Sequence, residues 1–157
     1  MELSLYLLGS ILWVMEFTHL SHCVYHCEYH IVMVTKYRKG ILNEGIFAYL
    51  EKKLAEITEH YPLIKFGTVN HDRDHVHLLV SIPPTMAVGK VIGIIKQNTA
   101  KELKQKFPFL RKVYWVTDAV WSEGYFVSTV GINEEGIRRY IEEQGKKDTG
   151  QTKFEIS

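Results

Sequence analysis

The sequence has only two cysteines, Cys23 and Cys27, among its 157 residues. Small secreted domains that depend on disulfides carry several cysteine pairs, usually spread along the chain. Two cysteines so close together argue against a stapled secreted scaffold, and we expect a protein of a reducing cytoplasm.

The chain also lacks an excess of charge of either sign. Lys and Arg total 19 and Asp and Glu total 18, which gives a formal net charge of +1 at pH 7. Any surface for nucleic acid must therefore come from local clustering of basic residues. The net charge neither supports nor excludes a DNA partner.

The apolar run "LSLYLLGSILWVMEF", residues 3–17, is too short for a membrane span. A spanning helix needs roughly 18 or more apolar residues, and Gly9 and Ser10 interrupt this run. A signal peptide would begin with a basic region, whereas the first charge here is Glu2. We expect no membrane partner, and interpret residues 1–20 as an apolar extension packed on the chain's own or a partner's surface, or as the product of a start codon assigned too far upstream.

The overall composition is typical of one compact domain. Hydrophobic residues make up 46% of the chain and charged residues 24%, without repeats, low-complexity tracts or a linker. We expect the domain to span residues 21–146 and a tail to span residues 147–157.

Hydrophobic patterning predicts alternating strands and helices. The run "CEYHIVMVTKYRK" indicates a strand at about residues 27–36, buried on both faces because Ile31 to Val34 are continuously apolar. "NEGIFAYLEKKLAEITEHY" indicates an amphipathic helix with an inner stripe of Phe47, Leu50, Leu54 and Ile57.

Two strand-like runs, "LIKFGTVN" and "HVHLLVSI", follow and are joined by the polar turn "HDRD". A second amphipathic helix is predicted at residues 86–106, then extended segments in "VYWVTDAVW" and "GYFVSTVG", then a helix beginning at "NEEGIRRYIEEQG". This order predicts an α+β fold: an antiparallel-centred sheet with helices packed on it, related to the split βαβ or ferredoxin-like arrangement.

Two histidines at the head of the second hairpin strand are candidate metal ligands. Side chains two residues apart on a strand share a face and lie about 6.6 Å apart, so His75 and His77 can converge on one ion while Val76 packs inward. The pair alone fits a half-exposed strand end equally well, because such a short motif is common by chance.

The last predicted helix places Tyr140 and Gln144 one turn apart on an otherwise apolar face. Tyr140 alone fits an aromatic residue at the edge of a core. Gln144 is more telling, since burying an unpaired carboxamide costs about 1 to 3 kcal/mol and it must find a hydrogen bond or a cation.

These residues, together with the runs "YHIVMVTKYRKGIL", "DHVHLLVSIPP" and "VWSEGYFVSTVG", resemble the HUH single-tyrosine transposases of IS200-like insertion sequences. The likeness runs in unbroken order from about His22 to Gln144. The extension at residues 1–20 departs from the family pattern.

The resemblance implies a metal-dependent enzyme that cleaves and rejoins single-stranded DNA. His75, His77 and Gln144 would bind one Mg²⁺ or Mn²⁺ per site, and Tyr140, carried on the C-terminal helix, would be the catalytic nucleophile that forms a 5′-phosphotyrosine link. No nucleotide cofactor is needed, because the covalent ester preserves the bond energy. Asp72 is a possible assistant at the metal, although an aspartate at this position also suits a hairpin turn.

The resemblance further implies that the partners are DNA hairpins near element ends and a second copy of the chain, in an intertwined homodimer. "GYFVSTVG" is the candidate interface strand. One candidate DNA-binding surface is the loop with Lys36, Arg38 and Lys39 around Tyr37, which combines phosphate-binding cations with a stacking surface. The lysine-rich face of the second helix could contact DNA or simply face solvent, and the sequence favours neither interpretation.

The sequence is compatible with several other functions. The fold could serve a domesticated hairpin-processing nuclease, a non-catalytic nucleic-acid-binding module, or a small metal hydrolase with water as its nucleophile. A structural zinc site in the cluster of His22, Cys23, His26, Cys27 and His30 is disfavoured, because the histidines and the cysteines fall on opposite faces of a strand.

Overall fold

A computed structural model describes residues 17–131. The predictions for residues 1–16, for the helix bearing Tyr140 and Gln144, and for the tail lie outside this part of the chain. The domain bounds of 21–146 therefore stay a prediction. The described elements are β1 (Thr18–Leu20), β2 (Cys23–Tyr25), β3 (Glu28–Val34), a 3₁₀ turn (Lys36–Arg38), α1 (Glu44–His60), β4 (Lys65–His71), β5 (His75–Ser81), α2 (Val88–Lys106), α3 (Phe109–Val113) and β6 (Phe126–Thr129).

The described residues fall into two units, of which the smaller contains residues 17–26. In it β1 and β2 form an antiparallel hairpin in which Thr18 lies opposite Tyr25. Hydrophobic patterning does not predict this hairpin, because three-residue strands are too short for a periodic signal.

The larger unit, residues 27–130, is a four-stranded sheet carrying helices. The strand order is β4-β5-β3-β6 and all three pairings are antiparallel. Since α1 connects β3 to β4 and α2 connects β5 to β6, the chain follows the β-α-β-β-α-β order of ferredoxin-like folds. The α+β prediction is confirmed.

The core lies between the sheet and the two long helices. Alternate residues of β3 and β5, among them Ile31, Met33, Val76 and Leu78, are fully buried and point towards α1 and α2. The inner stripe of α1 is as predicted except that Ile46 is buried where Phe47 was expected, and Phe47 instead stacks on the ring of His71 with 4.0 Å between ring centroids. The buried face of α2 consists of Val91, Ile92, Ile95, Thr99, Ala100 and Leu103.

The prediction that β3 is buried on both faces is wrong. Ile31 and Met33 are inaccessible to solvent, whereas His30, Val32 and Val34 are partly exposed. Within residues 27–130 the helices cover one face of β3 only, so the continuous apolar run contributes to the core on one side of the sheet and is partly exposed on the other. The strand also ends at Val34, and the chain then enters the 3₁₀ turn.

The prediction of an extended segment in "VYWVTDAVW" is also wrong. Residues 109–113 form the short helix α3, and from there to Trp121 only an isolated bridge between Thr35 and Trp121 has strand character. Side-chain anchoring explains the difference: Tyr114 and Trp121 are buried, and Lys104 of α2 donates to the carbonyl of Thr117. Tertiary contacts thus override the β propensity of this segment.

No helix within residues 17–131 is both long enough and apolar enough to cross a membrane.

Candidate functional site

The face of the sheet opposite the helices displays the two candidate histidines. His75 and His77 alternate along β5 with the buried Val76 and Leu78, so both project away from the core. Their ring centroids are 5.0 Å apart. The predicted convergence of the pair on one face is therefore present, with each ring held by a different neighbour.

The first ring, His75, is held by Asp74. His75 Nδ1 donates a hydrogen bond to Asp74 Oδ1 at 2.7 Å, and Arg38 pairs with the other carboxylate oxygen, Oδ2, at 3.2 Å. These contacts hold the pKa of Asp74 below its ordinary value, the bond from His75 being the larger cause and Arg38 the smaller. An ionised carboxylate is an acceptor only, so the proton of the contact must sit on His75 Nδ1.

The second ring, His77, is held by His30 from the neighbouring strand. The β3–β5 register places Val32 opposite His77, and His30 lies two residues before Val32 on the same face of the sheet. His30 Nε2 is 3.1 Å from His77 Nδ1, and the two rings stack at 12° with 5.2 Å between centroids. Burial lowers the pKa of His77, and the neighbouring His75 and His30 add to that effect.

Asp72 has a structural part in the turn before β5. Its N–H donates to the carbonyl of His75 at 2.9 Å, and its carboxylate Oδ1 accepts from the N–H of Arg73 at 2.9 Å. Its side chain is exposed and makes the local contacts expected of a turn aspartate.

The loop that follows β3 packs beside this turn. Thr35 N–H donates to the carbonyl of Asp74 at 2.9 Å, and Leu42 N–H donates to the carbonyl of Arg73 at 3.0 Å. Within the loop Tyr37 and Arg38 have positive φ angles of 60° and 50°, a conformation that non-glycine residues adopt at a cost. The strained loop presents Tyr37, whose side chain is 61% exposed, to solvent.

The candidate DNA-binding residues of this loop have unequal surroundings. Arg38 is 79% exposed although its guanidinium pairs with Asp74. The Lys36 ammonium lies 5.4 Å from the Tyr37 ring centroid, and Lys39 is exposed. The loop thus joins three cations and an aromatic ring to the turn that carries His75.

The lysine-rich face of α2 divides into two groups. Lys96 and Lys104 donate to backbone carbonyls of the segment that follows α3, so they hold that segment in place. Lys90, Lys101 and Lys106 are exposed. A cleft of about 700 Å³ lies between α2 and residues 118–123, and Lys101 and Arg111 are among the residues that line it.

A third metal ligand is not found next to the histidine pair within the described residues. No group of three His, Cys, Asp or Glu side chains in residues 17–131 is arranged to hold a metal ion, and this includes the part of the chain with Cys23 and Cys27. Tyr140 and Gln144 lie outside this part. Two imidazoles whose Nδ1 atoms are both engaged nevertheless suit a cation that takes a further ligand from elsewhere, because each ring can offer Nε2.

Sequence reasoning missed Asp74 and His30 as partners of the two histidines. Asp74 is adjacent to His75 and could have been noticed as a carboxylate beside a candidate ligand. His30 is 47 residues from His77, and only the register of β3 against β5 brings the two rings together.

Comparisons with known proteins agree with the fold and with the motifs. A family model described as IS200-like transposase matches residues 23–144. The transposase for insertion sequence element IS200 of Salmonella typhimurium is 32% identical over 133 residues, which cover 82% of this chain and 84% of that protein. The ISDra2 transposase TnpA of Deinococcus radiodurans is 31% identical over 126 residues, which cover 80% of this chain and 89% of that protein.

A solved structure, described as that of a transposase from Deinococcus radiodurans R1, has a similar fold. It superposes with a TM-score of 0.64 at 26% identity and covers 81% of this chain and 97% of its own. With a family model that matches most of the chain and relatives above 30% identity over most of its length, the chain belongs to the family of IS200-like transposases, which are DNA-processing enzymes.

Proposed function

We propose that this chain cleaves and rejoins single-stranded DNA at the ends of an insertion sequence, with Tyr140 as the nucleophile and with Mg²⁺ or Mn²⁺ bound by His75, His77 and Gln144. Family membership supports the general activity. The observation that carries the specific chemistry is the pair of imidazoles on one accessible sheet face, each oriented through Nδ1 by its own neighbour.

The proposed reaction is a transesterification. The Tyr140 phenol loses its proton and its oxygen attacks the scissile phosphorus, the bond from phosphorus to the 3′ oxygen breaks, and that oxygen leaves as a 3′-hydroxyl after gaining a proton. A phosphotyrosine ester remains on the 5′ side, and attack by another 3′-hydroxyl reverses the step and joins strands. One phosphoester replaces another at each stage, so no nucleotide cofactor is consumed.

The proposed ligand set agrees with the surroundings of His77. A bound divalent cation would polarise the scissile phosphate and stabilise charge on its oxygens. Neutral imidazole is the form that binds a cation, and burial keeps the pKa of His77 below its usual value of about 6.5. His77 is thereby neutral near pH 7 and retains a lone pair.

The proposed DNA surface adjoins the histidines. Lys36, Arg38 and Lys39 supply cations for phosphates, and the exposed Tyr37 ring supplies a platform for an unpaired base. Because Arg38 pairs with the carboxylate that holds His75, a strand bound along this loop passes close to the proposed metal ligands. Folded hairpins near the element ends are the proposed substrate.

The proposed homodimer would form through β6. This strand lies at one end of the sheet order, and within residues 27–130 no strand pairs with its outer edge. Phe126 is 58% exposed and Val127 is 38% exposed. An apolar edge strand favours pairing with another strand, in this proposal β6 of a second copy.

The dimer proposal has a test that spares the pairing of β6 with β3. Val130 N–H bonds to the carbonyl of Glu28, and antiparallel alternation therefore turns the N–H of Thr129 towards the open edge. Thr129→Pro removes that donor and should shift the full-length chain from dimer to monomer in light scattering, whereas Thr129→Val should leave the dimer intact. A dimer that survives Thr129→Pro would contradict pairing through this edge.

Covalent trapping tests the proposed reaction. The full chain is incubated with labelled single-stranded DNA containing an imperfect palindrome and with Mg²⁺ or Mn²⁺, then run on a denaturing gel. We expect a protein–DNA adduct that is lost in Tyr140→Phe and strongly reduced in His75→Ala. Tyr37→Phe is the matched control, because it removes an exposed tyrosine hydroxyl while keeping the ring, and it should leave the adduct.

The same experiment separates the other functions that the sequence left open. Cleavage without an adduct would indicate a hydrolase with water as its nucleophile, and binding without cleavage would indicate a non-catalytic module. A chain that cleaves DNA and forms the adduct but never rejoins strands would favour a domesticated nuclease. A cytoplasmic location is proposed with the function and is tested by cell fractionation.

A further inference from the structure

We infer that Asp74 and His30 are positioning residues that fix His75 and His77 as Nδ1–H tautomers and so leave both Nε2 atoms free for a divalent cation. This inference deepens the proposed function and rests on it for the identity of the ligand. It concerns two residues that touch neither DNA nor metal in the proposed reaction and that act through the imidazoles beside them.

The case for Asp74 follows from the chemistry of its carboxylate. An ionised carboxylate can only accept, so the contact of 2.7 Å between His75 Nδ1 and Asp74 Oδ1 fixes the proton on Nδ1. Neutral imidazole carries one N–H, and Nε2 of His75 then keeps its lone pair. A carboxylate behind a metal-binding histidine is a common arrangement that sets the tautomer and raises the basicity of the ligand.

The case for His30 follows from counting protons between two neutral rings. Only one of the two nitrogens, His30 Nε2 or His77 Nδ1, can donate across the 3.1 Å contact. If His30 donated, His77 would use its Nδ1 lone pair for His30 and carry its proton on Nε2, and no lone pair would be left for a cation. Binding of a cation by His77 therefore requires His77 to donate and His30 to accept.

The two positioning residues are held independently of each other. The carbonyl of Asp74 is bonded to the N–H of Thr35 at 2.9 Å, and this main-chain contact persists whatever side chain residue 74 carries. His30 is fixed by the register of β3 against β5 and by its stacking on His77. Each side chain can therefore be replaced while the backbone around the other ring keeps its contacts.

Arg38 extends the chain of contacts from the loop to the ligand. Asp74 gives one oxygen to His75 and the other to Arg38. The carboxylate is thus held from both sides, and its orientation towards His75 depends on the loop that is the candidate DNA surface.

Nuclear magnetic resonance of the imidazole nitrogens in the metal-free full chain tests the tautomers directly. The spectra are recorded at several pH values, and the tautomers are assigned from the signals of the neutral rings. We expect His75 and His77 in the Nδ1–H form. Asp74→Ala should change the tautomer of His75 and not that of His77, and His30→Phe, which keeps a stacked ring but removes the acceptor, should do the reverse.

Mn²⁺ binding by the full chain, measured by calorimetry, supplies the second readout. We expect Asp74→Ala and His30→Phe each to weaken Mn²⁺ binding about 10- to 100-fold, the range seen when such outer partners are removed. His30→Gln should restore most of the affinity, because its amide oxygen can accept where Nε2 does. His60→Phe, a histidine substitution at the end of α1, is the control and should leave the affinity unchanged.

The possible failures are distinguishable. Nε2–H tautomers in the wild-type chain, or a His30→Phe variant with wild-type tautomers and Mn²⁺ affinity, would overturn the inference even if the DNA adduct forms. If each variant changes the tautomer of its own histidine only and loses Mn²⁺ affinity as expected, but the wild-type chain forms no adduct with DNA, the inference is upheld and the proposed reaction is contradicted. A wild-type chain that binds no Mn²⁺ would overturn the inference together with the proposed ligand set.

Discussion

A buried hydrogen bond between Trp121 and Thr99 should couple the two residues energetically. Trp121 is 3% exposed and Thr99 is fully buried. The indole N–H of Trp121 donates to the Thr99 hydroxyl at 2.9 Å, and that hydroxyl donates to the carbonyl of Ile95 at 2.7 Å. The carbonyl of Val120, next to Trp121, accepts a hydrogen bond from Lys36 N–H at 2.7 Å. The buried indole therefore anchors the base of the loop that carries Tyr37 and Arg38.

The two single substitutions should cost stability for different reasons. Thr99→Val leaves the indole N–H buried without its acceptor, which costs about 1 to 3 kcal/mol. Trp121→Phe removes the donor and leaves a small void, while the Thr99 hydroxyl keeps its bond to Ile95. It should cost about 1 kcal/mol for the bond and about 1 to 2 kcal/mol for the void.

The double variant measures the coupling. Once residue 99 is valine, replacing Trp121 also removes the unsatisfied donor, so the double variant should be more stable than the sum of the single costs implies, by about 1 to 2 kcal/mol. Urea unfolding of the full chain followed by far-ultraviolet circular dichroism gives each free energy of unfolding. Trp115→Phe, at an indole that is 80% exposed, is the control and should change it by less than about 0.5 kcal/mol. Additivity within about 0.5 kcal/mol would refute the coupling.

Three further predictions concern α1, the loop and its support. Asn43→Ala should lower the free energy of unfolding by about 1 kcal/mol in urea titrations, because the Asn43 side chain caps α1 by accepting from Ile46 N–H at 2.9 Å; an unchanged value would contradict the cap. Tyr37→Asn should not reduce stability, since asparagine tolerates a φ of 60°, yet it should weaken single-stranded DNA binding by about 1 to 3 kcal/mol in fluorescence anisotropy. Equal DNA affinity in Tyr37→Asn and Tyr37→Phe would argue against base stacking. Tyr114→Phe should cost about 1 kcal/mol in the same urea assay, because the phenol donates to the carbonyl of Lys36 at 3.1 Å, and no loss would mean that water replaces this bond.

Periodicity predicted the parts of the fold in which one residue type repeats along one face. The helices α1 and α2 and the β4–β5 hairpin lie where the patterning placed them, because their stripes are long enough to define a face. Residues 113–121 do not form the strand that their composition predicts. Its β-branched and aromatic residues favour a strand, but Lys104 of α2 donates to the carbonyl of Thr117 and the buried side chain of Trp121 fixes the path of the segment. Neither contact leaves a local signal in the sequence.

In the candidate site, too, local features could be predicted from the sequence and tertiary contacts could not. His75 and His77 could be recognised from their spacing in a strand, since alternation along one strand is a local property. The partnership of His30 with His77 depends on the antiparallel register of β3 and β5, and the pairing of Arg38 with Asp74 depends on how a loop folds against a distant turn. Contacts of this kind arise from tertiary structure, so sequence spacing alone does not reveal them.

Mass spectrometry of the trapped adduct tests the proposed nucleophile most directly. The adduct formed by the full chain with a hairpin-bearing single strand is digested with protease and nuclease, and the peptide that retains a nucleotide is sequenced. We expect the residual 5′-nucleotide to be esterified to Tyr140. A nucleotide on any other residue, Tyr37 included, or cleaved DNA with a free 5′-phosphate and no modified peptide, would contradict the proposed reaction.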